Sequence, residues 1–221
     1  MSNSSKPKVL IIGSGALGLV AAYTLEFNKQ AEVTIVVRSQ YEKASTDGYN
    51  FKSVIFGNFD NWKPTKVVKS VQEANEYAHH DFILVSLKNL PDAPKTVEQI
   101  IHDAVIYNPK SAIVLLQNGI DIEKPIIKQF PGHVIISGVS LIGCTNLECV
   151  VNQMTIDSVQ FGLFENNTVK DKQAAEDRLQ QWLKLYTLSK DKNAVTLDTN
   201  VRLTRWKKLV YNSATNYERD L

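Results

Sequence analysis

A short apolar strand that leads directly into a glycine-rich turn and an apolar helix constrains this chain more than any other feature. The stretch KVLIIGSGALGLVAAYTL covers residues 8–25, and residues 9–12 are an uninterrupted apolar run. Such a run, closed by Gly13, is typical of a central parallel strand. The helix begins within the G-x-G-x-x-G pattern of residues 13–18. The segment therefore predicts a strand–turn–helix unit of an α/β sheet.

The glycines of this turn suit the binding of a dinucleotide. Gly13 permits the tight turn, Gly15 lets backbone N–H groups approach a pyrophosphate, and Gly18 lets the helix pack closely on the strand. The N-terminus of the helix then faces the anion. The alternative is a glycine turn with a purely structural role. We predict that all six residues of the turn contact the cofactor: Gly13, Ser14, Gly15, Ala16, Leu17 and Gly18.

The residue after the second strand bears on the choice between NAD and NADP. This strand is predicted at residues 32–37, and Arg38 follows it about 20 residues beyond the glycines. An acidic residue here would bind the ribose hydroxyls of NAD, whereas a guanidinium binds a 2′-phosphate. Arg38 therefore favours NADPH. The alternative is a solvated residue that merely follows the strand.

Strands and helices alternate along the middle of the chain. This alternation predicts a doubly wound parallel sheet, because each crossover places a helix on one face of the sheet. Ligands bind at the carboxyl ends of such strands. Lys88 and Asn118 each follow a strand, so we expect them near the glycine turn, although either one alone would be an ordinary turn residue. The strands are predicted at 81–87, 112–116 and 133–140, and the helices at 71–79, 96–105 and 123–130.

Other segments are expected to extend this sheet or to cover it. Two β-like runs, at 51–56 and 65–68, are interpreted as an insertion on the sheet. Residues 155–164 alternate as an added edge strand, and residues 172–186 carry an apolar helical face that packs on the core.

The last predicted helix begins near residue 200 and carries an apolar stripe, which predicts that this face packs against the core. Arg202 and Arg205 fall outside the stripe, and Lys208 and Asn212 lie four residues apart on a neighbouring face. Taken alone, this is a core helix with solvated lysines. The stripe consists of Leu203, Trp206, Leu209 and Val210.

Composition excludes several functions. With 221 residues, 43% of them hydrophobic, and a net charge of +2, the chain suits one large or two small domains and offers no basic nucleic-acid surface. The polar N-terminal tail does not resemble a signal peptide, and no apolar run reaches membrane-spanning length, so we expect a cytoplasmic protein. Cys144 and Cys149 are expected to be buried thiols. The four histidines lack metal-ligand spacing, so no metal is expected.

Taken together, these motifs resemble the ketopantoate reductase family (2-dehydropantoate 2-reductases). The resemblance implies a Rossmann-type NADP-binding domain, residues 1–190, followed by the start of a truncated all-helical substrate domain, residues 191–221. The motifs that carry it are the glycine turn, Arg38, Ser-Leu-Lys at 86–88, Leu-Gln-Asn-Gly at 116–119 and Trp-Lys-Lys-Leu-Val-Tyr-Asn at 206–212.

The resemblance also implies an activity and the residues responsible for it. Members of the family use NADPH to reduce ketopantoate, a 2-keto acid, to pantoate. By this resemblance, Lys208 is the general acid and Asn118 hydrogen-bonds near the reacting centre and the cofactor. Lys88 would lie near the nicotinamide and the substrate, and Asn212 is expected to contact the substrate.

Two functions stay open, because the family continues through a whole helical domain whereas this sequence ends at Leu221. The first is an NADPH-dependent 2-keto acid reductase with weak or no turnover in this short form. The second is a non-catalytic NADP-binding sensor or interaction module. An uncovered helical face in the last segment predicts self-association as a homodimer.

Overall fold

The computed structural model describes residues 6–27, 29–90 and 92–217; the first part of the polar N-terminal tail, residues 1–5, lies outside them. Across the described residues, none of the helices combines the length and apolar character needed to cross a bilayer. The strands are β1 (Lys8–Ile12), β2 (Glu32–Val36), β3 (Tyr49–Ser53), β4 (Gly57–Trp62), β5 (Lys66–Val68), β6 (Phe82–Val85), β7 (Ala112–Leu115), β8 (Ile135–Leu141), β9 (Cys144–Leu147), β10 (Val150–Gln153), β11 (Asp157–Leu163) and β12 (Asn193–Leu197). The helices are α1 (Ala16–Phe27), α2 (Tyr41–Thr46), α3 (Val71–Tyr77), α4 (Val97–Tyr107), α5 (Glu123–Gln129), α6 (Lys172–Tyr186) and α7 (Val201–Tyr217).

The main sheet has eight strands in the order β12-β11-β8-β7-β6-β1-β2-β5. Six neighbouring strands pair in parallel, namely β8, β7, β6, β1, β2 and β5. Strand β11 pairs antiparallel to β8, and β12 pairs parallel to β11. The chain runs outward from β1 to β2 and then returns to place β6 on the other side of β1. A crevice for ligands forms at the carboxyl ends of strands where the order reverses in this way. The predicted α/β fold with a mostly parallel sheet is confirmed.

The central strands are buried on both faces, as a doubly wound sheet requires. In β1, Val9 and Ile11 belong to the apolar cluster on one face, whereas Leu10 and Ile12 belong to the cluster on the other. Helix α6 covers the first face with Trp182, which is fully buried against Phe82 of β6 at a ring-centroid distance of 5.3 Å.

Two strand predictions were wrong. The strand predicted at 155–164, β11, is not an edge strand, because β12 pairs with its outer side. Strand β12 has only five residues, two of them polar, and shows too little apolar alternation to be recognised in advance. The division of the chain at residue 190 stays a prediction.

The run predicted at 51–56 does not extend the main sheet. Strand β3 joins β4, β9 and β10 in a second sheet, of order β4-β3-β10-β9. Aromatic contacts attach this sheet to α1, where the ring of Tyr23 lies 4.7 Å from that of Phe59 and 5.2 Å from that of Trp62. The prediction was wrong because β9 and β10, the strands that complete the second sheet, come much later in the chain.

Helix α7 turns the opposite face to the sheet from the one predicted. The residues of its apolar stripe are 45–65% exposed, whereas Arg205 is only 4% exposed. An apolar stripe marks the core face only where the helix meets apolar side chains, and α7 instead meets the polar ends of β7 and β8.

Arg205 attaches α7 to those strand ends. Its guanidinium forms a buried ion pair with Glu123 of α5, with 2.7 Å between Nε and Oε1. A planar guanidinium presents five N–H donors in a fixed fork, which suits a ring of acceptors around it. Its other acceptors are the Ser137 hydroxyl (2.9 Å) and the carbonyl oxygens of Gln117 (2.7 Å), Gly119 (3.1 Å), Leu115 (3.2 Å) and Gly138 (3.3 Å).

We expect Arg205→Met to lower the free energy of unfolding by about 3–5 kcal/mol, because it leaves the Glu123 carboxylate buried without its counter-charge. Urea unfolding followed by tryptophan fluorescence measures the loss. Adding Glu123→Gln removes the unpaired charge, so the double variant should lose less than the sum of the two single losses. A loss below about 1 kcal/mol, the value of a surface ion pair, would contradict this anchoring role.

Candidate functional site

The glycine turn joins β1 to α1 at the carboxyl edge of the main sheet. Gly13 has a φ of +128°, a conformation that other residues rarely adopt. A Cβ at Gly18 would collide with the carbonyl oxygen of Gly13, so α1 lies directly against the turn. Ser86, just past β6, fixes the turn by donating a hydrogen bond from Oγ to the Gly13 carbonyl oxygen at 2.9 Å.

Gly15 faces open space. A Cβ built at this residue meets no protein atom within 4 Å, and Gly15 lines a cavity of about 590 Å³. The backbone of the turn is therefore accessible to a ligand at the start of α1, where partial positive charge favours an anion. These features fit the pyrophosphate of a dinucleotide.

A second cavity, of about 290 Å³, lies on the other side of the turn. Gly13 and Ser14 line it together with Arg38 and Lys69. Lys69 was missed at the sequence level, although it directly follows the parallel strand β5 and obeys the same strand-end rule as Lys88. Its Nζ lies 3.0 Å from Oε1 of Glu42, and this carboxylate raises the pKa of Lys69.

The larger of these two cavities, which we call the Lys208 cavity, brings together three residues predicted to act there. Lys88 enters it from the segment after β6, Asn118 from the segment after β7, and Lys208 from α7. Residues 15–17 of the glycine turn line the same space. Asn212 lies one helical turn beyond Lys208 and is half-buried. A further cavity, of about 900 Å³, lies between α5, the segment after β11 and the start of α7.

Lys208 is positioned by two acceptors. Its Nζ donates a hydrogen bond to Oδ1 of Asn118 at 2.8 Å and another to the carbonyl oxygen of Ser140. Burial lowers the pKa of Lys208 to about 8; the charge of Arg205 acts in the same direction, and that of Asp157 opposes it. An amine with this pKa is an ammonium at neutral pH, yet it can release its proton near that pH.

Residues from the second half of the chain complete the cavity, and the sequence did not single them out. Ser140, near the carboxyl end of β8, could have been found by the strand-end rule. Cys144 of β9 was predicted to be buried, but it is only half-buried and lines the cavity. This partial burial raises the pKa of its thiol to about 11. The prediction of a buried thiol is confirmed for Cys149. Asn146 of β9 donates from Nδ2 to the Ser14 carbonyl oxygen at 3.1 Å.

Comparison with known proteins agrees with this architecture. The uncharacterized protein YDL144C of Saccharomyces cerevisiae is 34% identical over 226 residues, which cover 95% of this chain and 62% of that protein. A 2-dehydropantoate 2-reductase of Nostoc sp. is 28% identical over 93% of this chain and 60% of its own length. The chain thus spans about three fifths of the length of these relatives.

Solved structures show the same relation. The crystal structure of 2-dehydropantoate 2-reductase from Methylococcus capsulatus matches with a TM-score of 0.74 and 26% identity, over 95% of this chain and 62% of that one. The family model described as Ketopantoate reductase PanE/ApbA matches residues 9–166, from β1 to just beyond β11. Since that match covers most of the chain, the protein belongs to the ketopantoate reductase family.

Proposed function

We propose that this chain binds NADPH along the carboxyl edge of the main sheet and supplies the proton donor for the reduction of a 2-keto acid. Ketopantoate, reduced to pantoate, is the first candidate, because the Nostoc relative is named a 2-dehydropantoate 2-reductase. The observation that carries the proposal is the position of the glycine turn between two cavities, one lined by Arg38 and the other by Lys208. A dinucleotide is an elongated ligand with its pyrophosphate in the middle, and it suits this arrangement.

The cations beside Ser14 favour a phosphorylated ribose. Arg38 and Lys69 line the same cavity, and a guanidinium together with an ammonium would bind a 2′-phosphate with charge-assisted hydrogen bonds. Glu42 pairs with Lys69, which limits the repulsion that this carboxylate would otherwise exert on the phosphate. The pair of cations therefore supports NADPH over NADH.

The chemistry of the Lys208 cavity suits a ketone reduction. When bound, NADPH supplies a hydride to the keto carbon. Negative charge then develops on the keto oxygen, and the Lys208 ammonium can stabilise this charge and transfer a proton to the oxygen. Asn118 holds the ammonium through its Oδ1, and its amide nitrogen can donate to the substrate. Lys88 would bind the substrate carboxylate, and Asn212 is proposed as a further substrate contact.

A non-catalytic NADP-binding module is the second candidate. The observation that favours it is the exposure of the Lys208 cavity on the side away from the sheet, where Lys88 and Asn118 are exposed and Leu90 is 57% exposed. Catalysis of this kind depends on holding the substrate and excluding water. Cofactor binding requires less enclosure than turnover.

Gly15→Val tests the cofactor site. We expect it to abolish NADPH binding in a fluorescence titration, because the side chain would fill the space beside the turn. Stability in urea should change by only about 0.5 kcal/mol, since the new side chain meets no protein atom near its Cβ. Gly18→Ala is the contrasting variant, because its Cβ collides with the Gly13 carbonyl oxygen and should destabilise the fold. If Gly15→Val binds NADPH with normal affinity, the glycine turn does not bind the cofactor and has only a structural role.

Arg38→Ala should weaken NADPH binding by about 1–3 kcal/mol and leave NADH binding nearly unchanged, because only NADPH carries the phosphate that the guanidinium would bind. Lys69→Met should act in the same direction. Lys66→Met is the matched control: Lys66 lies at the start of β5 and stacks over the Tyr77 ring instead of lining the cavity. Titrations with both cofactors measure these effects. Equal losses for NADPH and NADH in Arg38→Ala would refute the assignment.

In a form of this chain extended with the helical domain of a family member, Lys208→Ala should reduce the rate of ketopantoate-dependent NADPH oxidation by about 10²–10⁴-fold with little change in NADPH affinity, because the variant lacks the proton donor. Lys207→Ala should have far less effect, since adjacent residues on a helix point about 100° apart and Lys207 is exposed. Equal effects of the two substitutions would contradict the assignment to Lys208. Intact NADPH binding without reduction of any 2-keto acid would favour the non-catalytic module.

A further inference from the structure

A buried carboxylate lies behind Lys208 and takes no part in the proposed reaction. Asp157, the first residue of β11, is 1% exposed. Its Oδ1 accepts a hydrogen bond from Oγ of Ser140 at 2.7 Å, and its Oδ2 accepts one from the hydroxyl of Tyr186 at 2.7 Å. Burial is the largest influence and raises the pKa of Asp157 above its ordinary value, whereas these two hydroxyl donors and the charge of Lys208 oppose that shift. A carboxylate so far from water stays ionised only with such compensation.

Ser140 links this carboxylate to the Lys208 cavity. Its hydroxyl donates to Asp157, while its backbone carbonyl oxygen accepts the hydrogen bond of Lys208. One residue is therefore bonded to both charged groups. Because Asp157 is buried and Lys208 is half-buried, their charges are screened less than a surface pair would be.

The other groups around Lys208 do not supply a negative charge. Arg205, on the same helix, is a buried cation, and Lys88 lines the same cavity from the segment after β6. Burial raises the pKa of Cys144 on β9 and that of Tyr186 on α6, so both are neutral near pH 7. Asn118 contributes an uncharged amide. Among the described groups that face Lys208, the negative charge comes from Asp157.

We propose that Asp157 is the buried counter-charge of Lys208 and acts on it through Ser140 as a positioning residue. The carboxylate keeps Lys208 protonated despite the neighbouring cations, and the Ser140 carbonyl holds Nζ beside Asn118. Tyr186 favours the ionised form of the carboxyl by donating a hydrogen bond to its second oxygen. The consequence for turnover rests on the proposed function, whereas the coupling of the two charges belongs to the chain without cofactor or substrate.

The first experiment measures the protonation of Lys208 in Asp157→Asn. Competitive amine labelling across a pH series, read out by mass spectrometry, gives the pH at which Lys208 is half protonated, about 8 in the native chain. Removing the carboxylate charge disfavours the ammonium, so the ratio of ammonium to amine at a given pH should fall about tenfold. A merely structural role for Asp157 would not move this midpoint. An unchanged midpoint in a folded Asp157→Asn protein overturns the proposal.

The reciprocal experiment leaves Asp157 in place and therefore decides the matter even if Asp157→Asn does not fold. In Lys208→Met, the titration midpoint of the Asp157 carboxyl, followed by its carbon NMR signal, should rise. The ratio of protonated to ionised carboxyl at a given pH should increase about tenfold, because coupling between two sites is mutual. Lys207→Met is the control and should leave the Asp157 titration unchanged. An Asp157 midpoint that does not respond to Lys208→Met overturns the proposal.

Both experiments use the chain without NADPH or a keto acid. If the proposed reductase activity fails, the two titrations still report whether the charges are coupled. Conversely, if the titrations do not respond, NADPH binding and the Lys208→Ala effect on turnover remain separate measurements. The two ideas therefore fail independently.

Discussion

The buried ion pair between Arg205 and Glu123 holds the candidate site together. A charge enclosed in a protein is tolerated only when it is paired and its remaining hydrogen-bonding capacity is satisfied, and the Arg205 guanidinium meets both conditions at the ends of β7 and β8. Lys208 lies three residues after Arg205 on the same helix. The hydrogen bonds of the Arg205 guanidinium therefore also position the Lys208 ammonium at the edge of the sheet. Because a helix can turn only one face to the sheet, the apolar stripe of α7 is left exposed.

The parallel sheet explains why residues so distant in sequence meet. The carboxyl ends of β1, β6 and β7 lie at one edge, and the strand order reverses between β1 and β6. The glycine turn, Lys88 and Asn118 therefore reach a common crevice. Strand β8 adds Ser140 to the same edge, and β11, antiparallel to β8, begins there with Asp157. The opposite direction of β11 is what brings a carboxylate behind the strand ends.

Two kinds of residue differ in how well the sequence predicted them. Arg38, Lys88 and Asn118 follow apolar runs that are recognisable as strands in the sequence. The local pattern, together with the rule that ligands bind at the carboxyl ends of parallel strands, is enough to predict their positions. Lys69 and Ser140 obey the same rule but give a weaker signal, because β5 has only three residues and Ser140 lies within β8 instead of following it. Asp157 and Arg205 are different. A charged residue is solvated in most proteins, and its burial depends on partners supplied by other elements.

The sequence by itself determined the alternation of strands and helices, the glycine turn and the residues that follow the parallel strands, because these depend on local conformational preference and on a period of apolar residues. Only the tertiary structure decided which face of α7 is buried, where β3 and β4 pair, and that Asp157 and Lys208 share Ser140. The physical reason lies in what each surface meets. The buried carbonyl groups of β8 and the end of β7 require hydrogen-bond donors, and the guanidinium of Arg205 supplies them where an apolar stripe could not.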